Sequence, residues 1–224
     1  MPPDEIKPTR GRDLDHVAWL YDPLIEKLSF GRERKFREMT LEHLALVPGE
    51  RVLDVGCGTG SLTLVIAREL GGSGEVWGID AAPRMIAIAR HKAEAAGLPA
   101  RFAPGVAEEL DFADAAFDVV VNSMFTHHID TGLKRRAFAE MFRVLRPGGR
   151  LVTADVDRPS TAGGWLMGWG ARVLLVQKEL VDNLRGDLPA LMAAAGFHEV
   201  TRVAHVYGLV SFFTARKPEG AWSN

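Results

Sequence analysis

The chain has 224 residues, with 27 Lys+Arg against 29 Asp+Glu and a formal charge of −2. That length, with 47% hydrophobic residues, supplies a sizeable core without a disulfide or metal staple. The near-neutral balance argues against a strongly basic nucleic-acid-binding domain, and the single cysteine, Cys57, excludes an internal disulfide or a Cys-based zinc cluster. No metal site is expected.

Residues 1–13 are rich in Pro and charge, and Met1-Pro2-Pro3-Asp4-Glu5 opens no basic-then-apolar signal pattern. From Leu14 to Leu28 apolar side chains recur at helical spacing (Leu14, Val17, Ala18, Tyr21, Leu24, Ile25, Leu28), with a break expected at Pro23. A second helix is predicted from about Arg32 to Leu46, ended by Pro48-Gly49. The pattern then alternates. Strand Arg51–Val55 is followed by helix Ser61–Leu70, and strand Glu75–Ile79 by a helix from Pro83 to about Ala96. Strands Arg101–Ala103 and Phe117–Val121 come next, then helix Leu133–Leu145, the turn Pro147-Gly148-Gly149 and strand Arg150–Val156. Helix Leu188–Ala195 precedes Glu199–Val206 and Leu209–Ala215, which are separated only by Tyr207-Gly208 and so must be an antiparallel pair. The expected fold is α/β, a Rossmann-like, doubly wound and mostly parallel seven-stranded sheet with an antiparallel C-terminal strand pair and a helical cap. Ligands of such sheets bind beyond the carboxyl ends of the strands.

The most informative stretch is Val52-Leu53-Asp54-Val55-Gly56-Cys57-Gly58-Thr59-Gly60. Alternating glycines between a strand and a helix allow a sharp turn and a close ligand approach. A dinucleotide fingerprint would place its third Gly where Ser61 stands, and a P-loop would need a Lys that is missing. Asp54, two residues before the first Gly, would repel a pyrophosphate but suits an ammonium group. The loop therefore favours a nucleoside bearing an amino-acid tail. A nicotinamide-dependent oxidoreductase and a non-catalytic binding module are the alternatives carried.

At this point the chain resembles the class I S-adenosylmethionine-dependent methyltransferases, especially the ubiquinone and menaquinone C-methyltransferase group. Leu53-Asp54-Val55-Gly56-Cys57-Gly58-Thr59-Gly60 is close to that family's first motif, and Gly78-Ile79-Asp80 ends the strand where the family places its ribose-binding acid. Gly105-Val106-Ala107-Glu108 resembles its adenine loop, Phe117–Val121 its fourth strand and Leu145–Leu151 the turn into its fifth, so the match spans roughly residues 45–157. The family commonly has Asp in the adenine loop where this chain has Val106, which leaves apolar contacts from Val106, Ala107 and Ala81 to hold the ring. The resemblance implies S-adenosylmethionine as cofactor. It implies cofactor contacts from Tyr21, Asp54, Gly56, Cys57, Gly58, Gly60, Asp80, Ala81, Met85, Val106, Ala107 and Asn122, and methyl transfer to a quinone, lipid or secondary metabolite.

For several residues two readings stay open. Asp54 either meets the ammonium group or caps the loop, and Tyr21 either faces the sulfonium or packs its helix onto the sheet. His127 and His128 follow the fourth strand in Asn122-Ser123-Met124-Phe125-Thr126-His127-His128, where each is a candidate general base or a helix-cap residue. The charges of Phe30-Gly31-Arg32-Glu33-Arg34 read as a solvated face, with one Arg available to an anionic acceptor. Residues 1–46 are expected to form a tail and cap helices, and 47–224 the methyltransferase core. Within the core, 158–186 is an apolar lid over the acceptor pocket, a homodimer interface or an interfacial helix. Gly163–Val176, interrupted by Arg172, is shorter than the ~18–20 residues of a membrane span, and a cytoplasmic protein acting on a small molecule is expected.

Overall fold

The computed structural model describes residues 32–174 and 178–220. The expectations for Leu14–Leu28, Tyr21 among them, lie outside the described residues. Seven strands, β1 (Arg51–Val55), β2 (Glu75–Asp80), β3 (Ala100–Pro104), β4 (Phe117–Ser123), β5 (Leu145–Val156), β6 (His198–Val206) and β7 (Val210–Arg216), form one sheet in the order β3-β2-β1-β4-β5-β7-β6. The first five pair in parallel, and β7 runs antiparallel between β5 and β6. The helices are α1 (Arg32–Leu44), α2 (Ser61–Leu70), α3 (Pro83–Ala96), α4 (Thr131–Val144), α5 (Ala162–Leu174), α6 (Val181–Arg185) and α7 (Leu188–Ala194).

The apolar runs of the central strands reflect burial on both faces. Leu53, Val55, Val120 and Leu151 pack under Phe138 and Met141 of α4 and Leu188 and Met192 of α7. Val52, Val76, Val119, Val121 and Val152 pack on the other face under Leu44 of α1 and Leu62, Ile66 and Leu70 of α2. A third cluster seats Ile86, Ala89 and Ala93 of α3 on Phe102. Helix starts follow local chemistry: Pro83 occupies the first turn of α3, and the Asp130 carboxylate accepts the Leu133 N–H at the start of α4.

Several boundaries shift by one or two residues, and the largest difference is in β5. Strand β5 begins at Leu145, paired with Phe117, and resumes at Arg150 opposite Val119 after a bulge. The Pro147–Gly149 stretch stays in the ladder because the Gly148 N–H donates to the Lys217 carbonyl and the Lys217 N–H to the Gly149 carbonyl, both at 2.9 Å. Arg150 then clamps the end of α1, donating to the Leu44 carbonyl at 2.6 Å and pairing with both Glu50 oxygens at 2.7 Å. The strand order reverses between β1 and β4, so the ligand crevice of the fold lies at the carboxyl ends of these two strands.

Candidate active site

The glycine loop is shaped by what stands beside each glycine. Gly56 has φ +75°, and a Cβ there would lie 2.4 Å from the Phe125 ring. Its N–H and that of Cys57 both donate to the Ile79 carbonyl at 2.9 Å, tying the loop to β2. Gly58, at φ +54°, would meet nothing within 4 Å and so leaves open space above the backbone. Its N–H donates to Asp80 Oδ2 at 2.9 Å, while Asp80 Oδ1 accepts the Ala82 N–H at the same distance.

These elements border a cavity of about 400 Å³, a size typical of small-molecule sites, which run from ~300 to ~1,000 Å³. The loop side contributes Asp54, Gly56, Cys57, Gly58, Thr59, Ser61 and Leu62. The ends of β2 and β3 and the loops beyond them contribute Ile79, Asp80, Ala81, Gly105, Ala107 and Glu108, and α3 contributes Met85. The end of β4 and the turn beyond it contribute Ser123, Met124, Phe125, His127, His128 and Ile129, and α1 contributes Glu33, Phe36 and Arg37. Glu33 and Arg37 form an i, i+4 ion pair, and Phe36 packs on Phe212 of β7 with ring centroids 5.1 Å apart.

Two buried carboxylates behave oppositely. Asp54 accepts from the Thr63 hydroxyl at 2.7 Å. Burial, with the Asp80 charge adding to it, pushes the Asp54 pKa up to about 7 against the Thr63 hydroxyl and backbone N–H, which both lower it. Asp155, near the end of β5, is also fully buried, but it accepts five hydrogen bonds. Its Oδ2 takes the N–H groups of Phe125 (3.0 Å) and Thr126 (2.6 Å) and the Thr126 hydroxyl (2.7 Å). Its Oδ1 takes His127 Nδ1 (2.6 Å) and the Val156 N–H (2.7 Å). Burial opposes its charge, yet the His127 ring and these donors outweigh burial and hold the carboxyl below the usual range. Asn183 of α6 braces the group, donating to the Thr126 hydroxyl at 3.1 Å and to the Val156 carbonyl at 3.0 Å. In the neutral tautomer that gives Nδ1–H to Asp155, Nε2 is the acceptor nitrogen of His127, and the His128 ring lies 4.0 Å from it between centroids. Burial, then the Asp54 and Asp80 charges, push the Cys57 thiol well above its ordinary pKa. It is therefore no nucleophile.

Of the residues expected at the site, Asp54, Gly56, Cys57, Gly58, Asp80, Ala81, Met85, Ala107, His127 and His128 come together around this cavity. Three do not. A Cβ on Gly60 would lie 2.7 Å from the Phe102 ring, so that glycine serves helix-on-strand packing instead. Val106 is buried and bridges to Glu109, leaving Gly105, Ala107 and Glu108 as the wall there. Asn122 points its amide into the α4 side of the core, where Nδ2 donates to Thr153 Oγ1 at 2.9 Å. The charges at the start of α1 do not form only a solvated face, because Glu33 and Arg37 reach the cavity. Among the described residues, none from 158–186 lines it. That segment packs alongside through Trp169, which shares a cluster with Met124. Asp155, Asn183 and Arg37 are not evident in the sequence, whereas Phe125 belongs to the stretch after the fourth strand expected to line the site. The signal for Asp155 is an acid within the last residues of an otherwise apolar parallel strand.

The donor set suits S-adenosylmethionine. Asp80, at the end of β2 on the cavity wall, carries two carboxylate oxygens, the acceptor type a vicinal diol requires. Ile79, Ala81, Met85 and Ala107 offer apolar surface for a flat ring, and Asp54 and Arg37 carry the charges an amino-acid end requires. Residues 52–149 match the profile of a methyltransferase domain family. The chain is 36% identical over 200 residues to a demethylmenaquinone methyltransferase of Thermus thermophilus, covering 81% of this chain and 89% of that one. It is 31% identical over 237 residues to the ubiquinone/menaquinone biosynthesis C-methyltransferase UbiE of Azotobacter vinelandii, covering 96% and 93%. In fold alone it resembles a SAM-dependent methyltransferase from Aquifex aeolicus (TM-score 0.65, 21% identity, 91% and 98% covered) and the [4+2]-cyclase SpnF (TM-score 0.62, 23% identity, 96% and 100% covered). This kinship excludes the nicotinamide alternative. The chain belongs to the class I S-adenosylmethionine-dependent methyltransferases, related to the ubiquinone/menaquinone C-methyltransferase family, and S-adenosylmethionine is its cofactor.

Proposed function

We propose that the enzyme methylates a small apolar acceptor of the quinol class, with His127 taking the proton that the acceptor must lose. The observation that carries this reading is the buried hydrogen bond from His127 Nδ1 to Asp155 at the cavity wall. The demethylmenaquinone named for the Thermus relative supports the acceptor class, as do the apolar neighbours Met124, Phe125 and Ile129. When bound, S-adenosylmethionine supplies an electrophilic methyl group whose C–S bonding pair stays with sulfur.

The chain's own work is binding, alignment and proton handling. Asp80 would accept the ribose hydroxyls, Ala81, Met85 and Ala107 would offer the adenine an apolar wall, and Glu108 would be an acceptor for its amino group. Asp54 and Arg37 would hold the ammonium and carboxylate of the methionine end. Asp155 fixes the His127 tautomer, so Nε2 accepts a ring hydroxyl proton and electron density rises on the adjacent ring carbon. That carbon would form the new carbon–methyl bond and then give up its hydrogen to the ring oxygen as aromaticity returns. The proton on His127 is the net one released. The two histidines and Phe125 keep water from the acceptor side.

The test is transfer of labelled methyl from S-adenosylmethionine to a reduced demethylnaphthoquinone, with phosphatidylethanolamine as comparison acceptor and Asp80→Ala as control. Label in the extracted quinone, lost in the variant, is the expected result. Label appearing only in phosphatidylethanolamine or in water-soluble products of a cell extract would overturn the acceptor class.

A further inference from the structure

We propose that Ser160 is the nucleophile of a second site, an acyl-transfer site for small activated carboxylic esters that lies apart from the methyl-transfer cavity. This second activity does not rest on the function proposed above.

The site is a line of four side chains gathered by the last three strands. Ser160 Oγ lies 2.8 Å from His205 Nε2, His205 Nδ1 lies 2.8 Å from Ser211 Oγ, and Ser211 Oγ donates to Asp157 Oδ2 at 2.6 Å. Ser211, on β7, is in register with His205 of β6, and Asp157 follows the end of β5. The Asp157 N–H donates to the Leu209 carbonyl at 2.7 Å and the Ser160 N–H to the Gly208 carbonyl at 3.0 Å. The segment that carries both acid and hydroxyl is thereby pinned to the β6–β7 turn.

The direction of each hydrogen bond follows from the buried end. Asp157 and Ser211 are buried, His205 is half-buried and Ser160 is exposed. A carboxylate oxygen only accepts, so the one Ser211 hydroxyl hydrogen goes to Asp157, whose same oxygen has the Arg202 guanidinium at 3.4 Å. The Ser211 oxygen is left to accept, which selects the neutral His205 tautomer with its hydrogen on Nδ1. In that tautomer Nε2 carries a lone pair, and the Ser160 hydroxyl donates to it. This is the polarity of a serine nucleophile with its base and orienting acid, one hydroxyl longer than the three-residue form. Water would satisfy an exposed serine, so folding does not require the alignment. None of the four residues lines the methyl-transfer cavity.

Helix α5 starts two residues after Ser160, at Ala162. The Gly164 N–H is taken by Thr161 Oγ1 at 3.0 Å, whereas those of Ala162 and Gly163 have no acceptor within the helix. A Cβ on Gly163 would meet nothing within 4 Å, which leaves room for an acyl group. Ser160 Oγ would form a bond to the ester carbonyl carbon while its proton passes to His205 Nε2. The carbonyl oxygen takes the π pair, with those N–H groups as donors. Collapse breaks the ester C–O bond, and the leaving alkoxide takes the proton from Nε2. Water then repeats the sequence on the acyl-serine and releases the carboxylic acid. Ser211 and Asp157 are positioning residues, acting through His205.

The experiment treats the full chain with a fluorophosphonate ester, which phosphonylates a nucleophilic serine with loss of fluoride, and identifies the modified residue by mass spectrometry. Ser160 should react at least about 10²-fold faster than Ser73, an exposed serine whose hydroxyl donates to the Leu70 carbonyl and meets no base. His205→Gln should remove that excess. Wild-type protein should hydrolyse p-nitrophenyl acetate and Ser160→Ala should not, with S-adenosylmethionine affinity holding in both variants as proof of folding. Ser211→Ala should lower the maximal phosphonylation rate about tenfold or more and leave the probe concentration at half-maximal rate unchanged, a split that loosening of the β6–β7 pair would not give. Ser160 labelled no faster than Ser73 overturns the proposal. So does a His205→Gln protein that labels as fast as the wild type, or equal ester hydrolysis by Ser160→Ala.

Discussion

Replacing Asp155 with Asn keeps the side-chain volume and removes the charge that organises the site. The amide can turn its oxygen toward the Phe125 and Thr126 donors, which then keep their bonds. Its NH₂ group must then face His127 Nδ1 and the Val156 N–H. His127 can answer by presenting a bare Nδ1, but that tautomer places its proton on Nε2, the nitrogen needed as base. The Val156 N–H has no such escape and is left buried and unpaired, a cost of about 1–3 kcal/mol, and the other donors lose their charge assistance. A total of about 2–4 kcal/mol lowers Tm by roughly 10 °C in a domain of this size and leaves it folded.

The expected signature is therefore split. The methyl-transfer kcat falls about 10²- to 10⁴-fold, while the Kd for S-adenosylmethionine holds, because Asp155 does not line the cavity. Calorimetric Tm, isothermal titration and single-turnover transfer separate these quantities. Because the folded-state pKa of Asp155 is depressed, its stabilisation is present above the usual aspartate range near ~4 and is lost as pH falls below it. The Tm gap between wild type and variant should narrow in acid accordingly. A variant whose Tm drops as expected but whose kcat falls by less than about threefold would refute the base assignment and leave Asp155 a structural anchor.

Three further outcomes are expected. Arg37→Gln should raise the Kd for S-adenosylmethionine roughly tenfold or more but leave that for 5′-methylthioadenosine, which lacks the amino-acid end, unchanged by titration calorimetry. Asp80→Asn removes one of two carboxylate acceptors that also hold Gly58 and Ala82, and should weaken both ligands about 10- to 100-fold. Asp54, with a pKa of about 7 in the free protein, must ionise to pair with an ammonium group. Cofactor affinity should therefore rise with pH up to about 7, and binding about one unit below that should release a proton. Calorimetry in buffers of different ionisation enthalpy detects that proton, and Asp54→Asn abolishes the release.

The fold was legible because its signals are local. Apolar runs, the Pro83 start, the breaker glycines and the two-residue turn at Tyr207-Gly208 each declare an element boundary within a few residues. The glycine loop and Asp80 were legible for the same reason, since strand, turn and acid follow one another at short range. The His127–Asp155 pair was not. It spans 28 residues and depends on β4 and β5 pairing Ser123 with Ala154, a register that no short window contains. Gly60 shows the converse difficulty, because a glycine required by a neighbouring Phe102 ring looks in sequence like one required by a ligand. Arg37 was hidden by its helix. Its i, i+4 partner Glu33 gives the pattern of an ordinary solvated ion pair, and only the packing of Phe36 on Phe212 turns that pair toward the cavity.

The two buried carboxylates, at the ends of β1 and β5, divide the electrostatic work of the site. Both lose their hydration, and the difference between them is the number of donors built around each. Asp155, with five donors, stays charged whatever occupies the cavity, and a permanent charge is what a fixed histidine tautomer requires. Asp54, supported by Thr63 alone through its hydroxyl and backbone, is held near its midpoint at neutral pH and becomes fully ionised only when a cation arrives. An anion already stabilised by the protein would gain little from the ligand. One kept short of donors gains most of its stabilisation from the ligand's ammonium group, so the shortage itself discriminates the charged amino-acid end from a neutral nucleoside. The same fold thus uses donor count to make one aspartate a constant part of the proton-transfer machinery and the other a ligand-dependent charge.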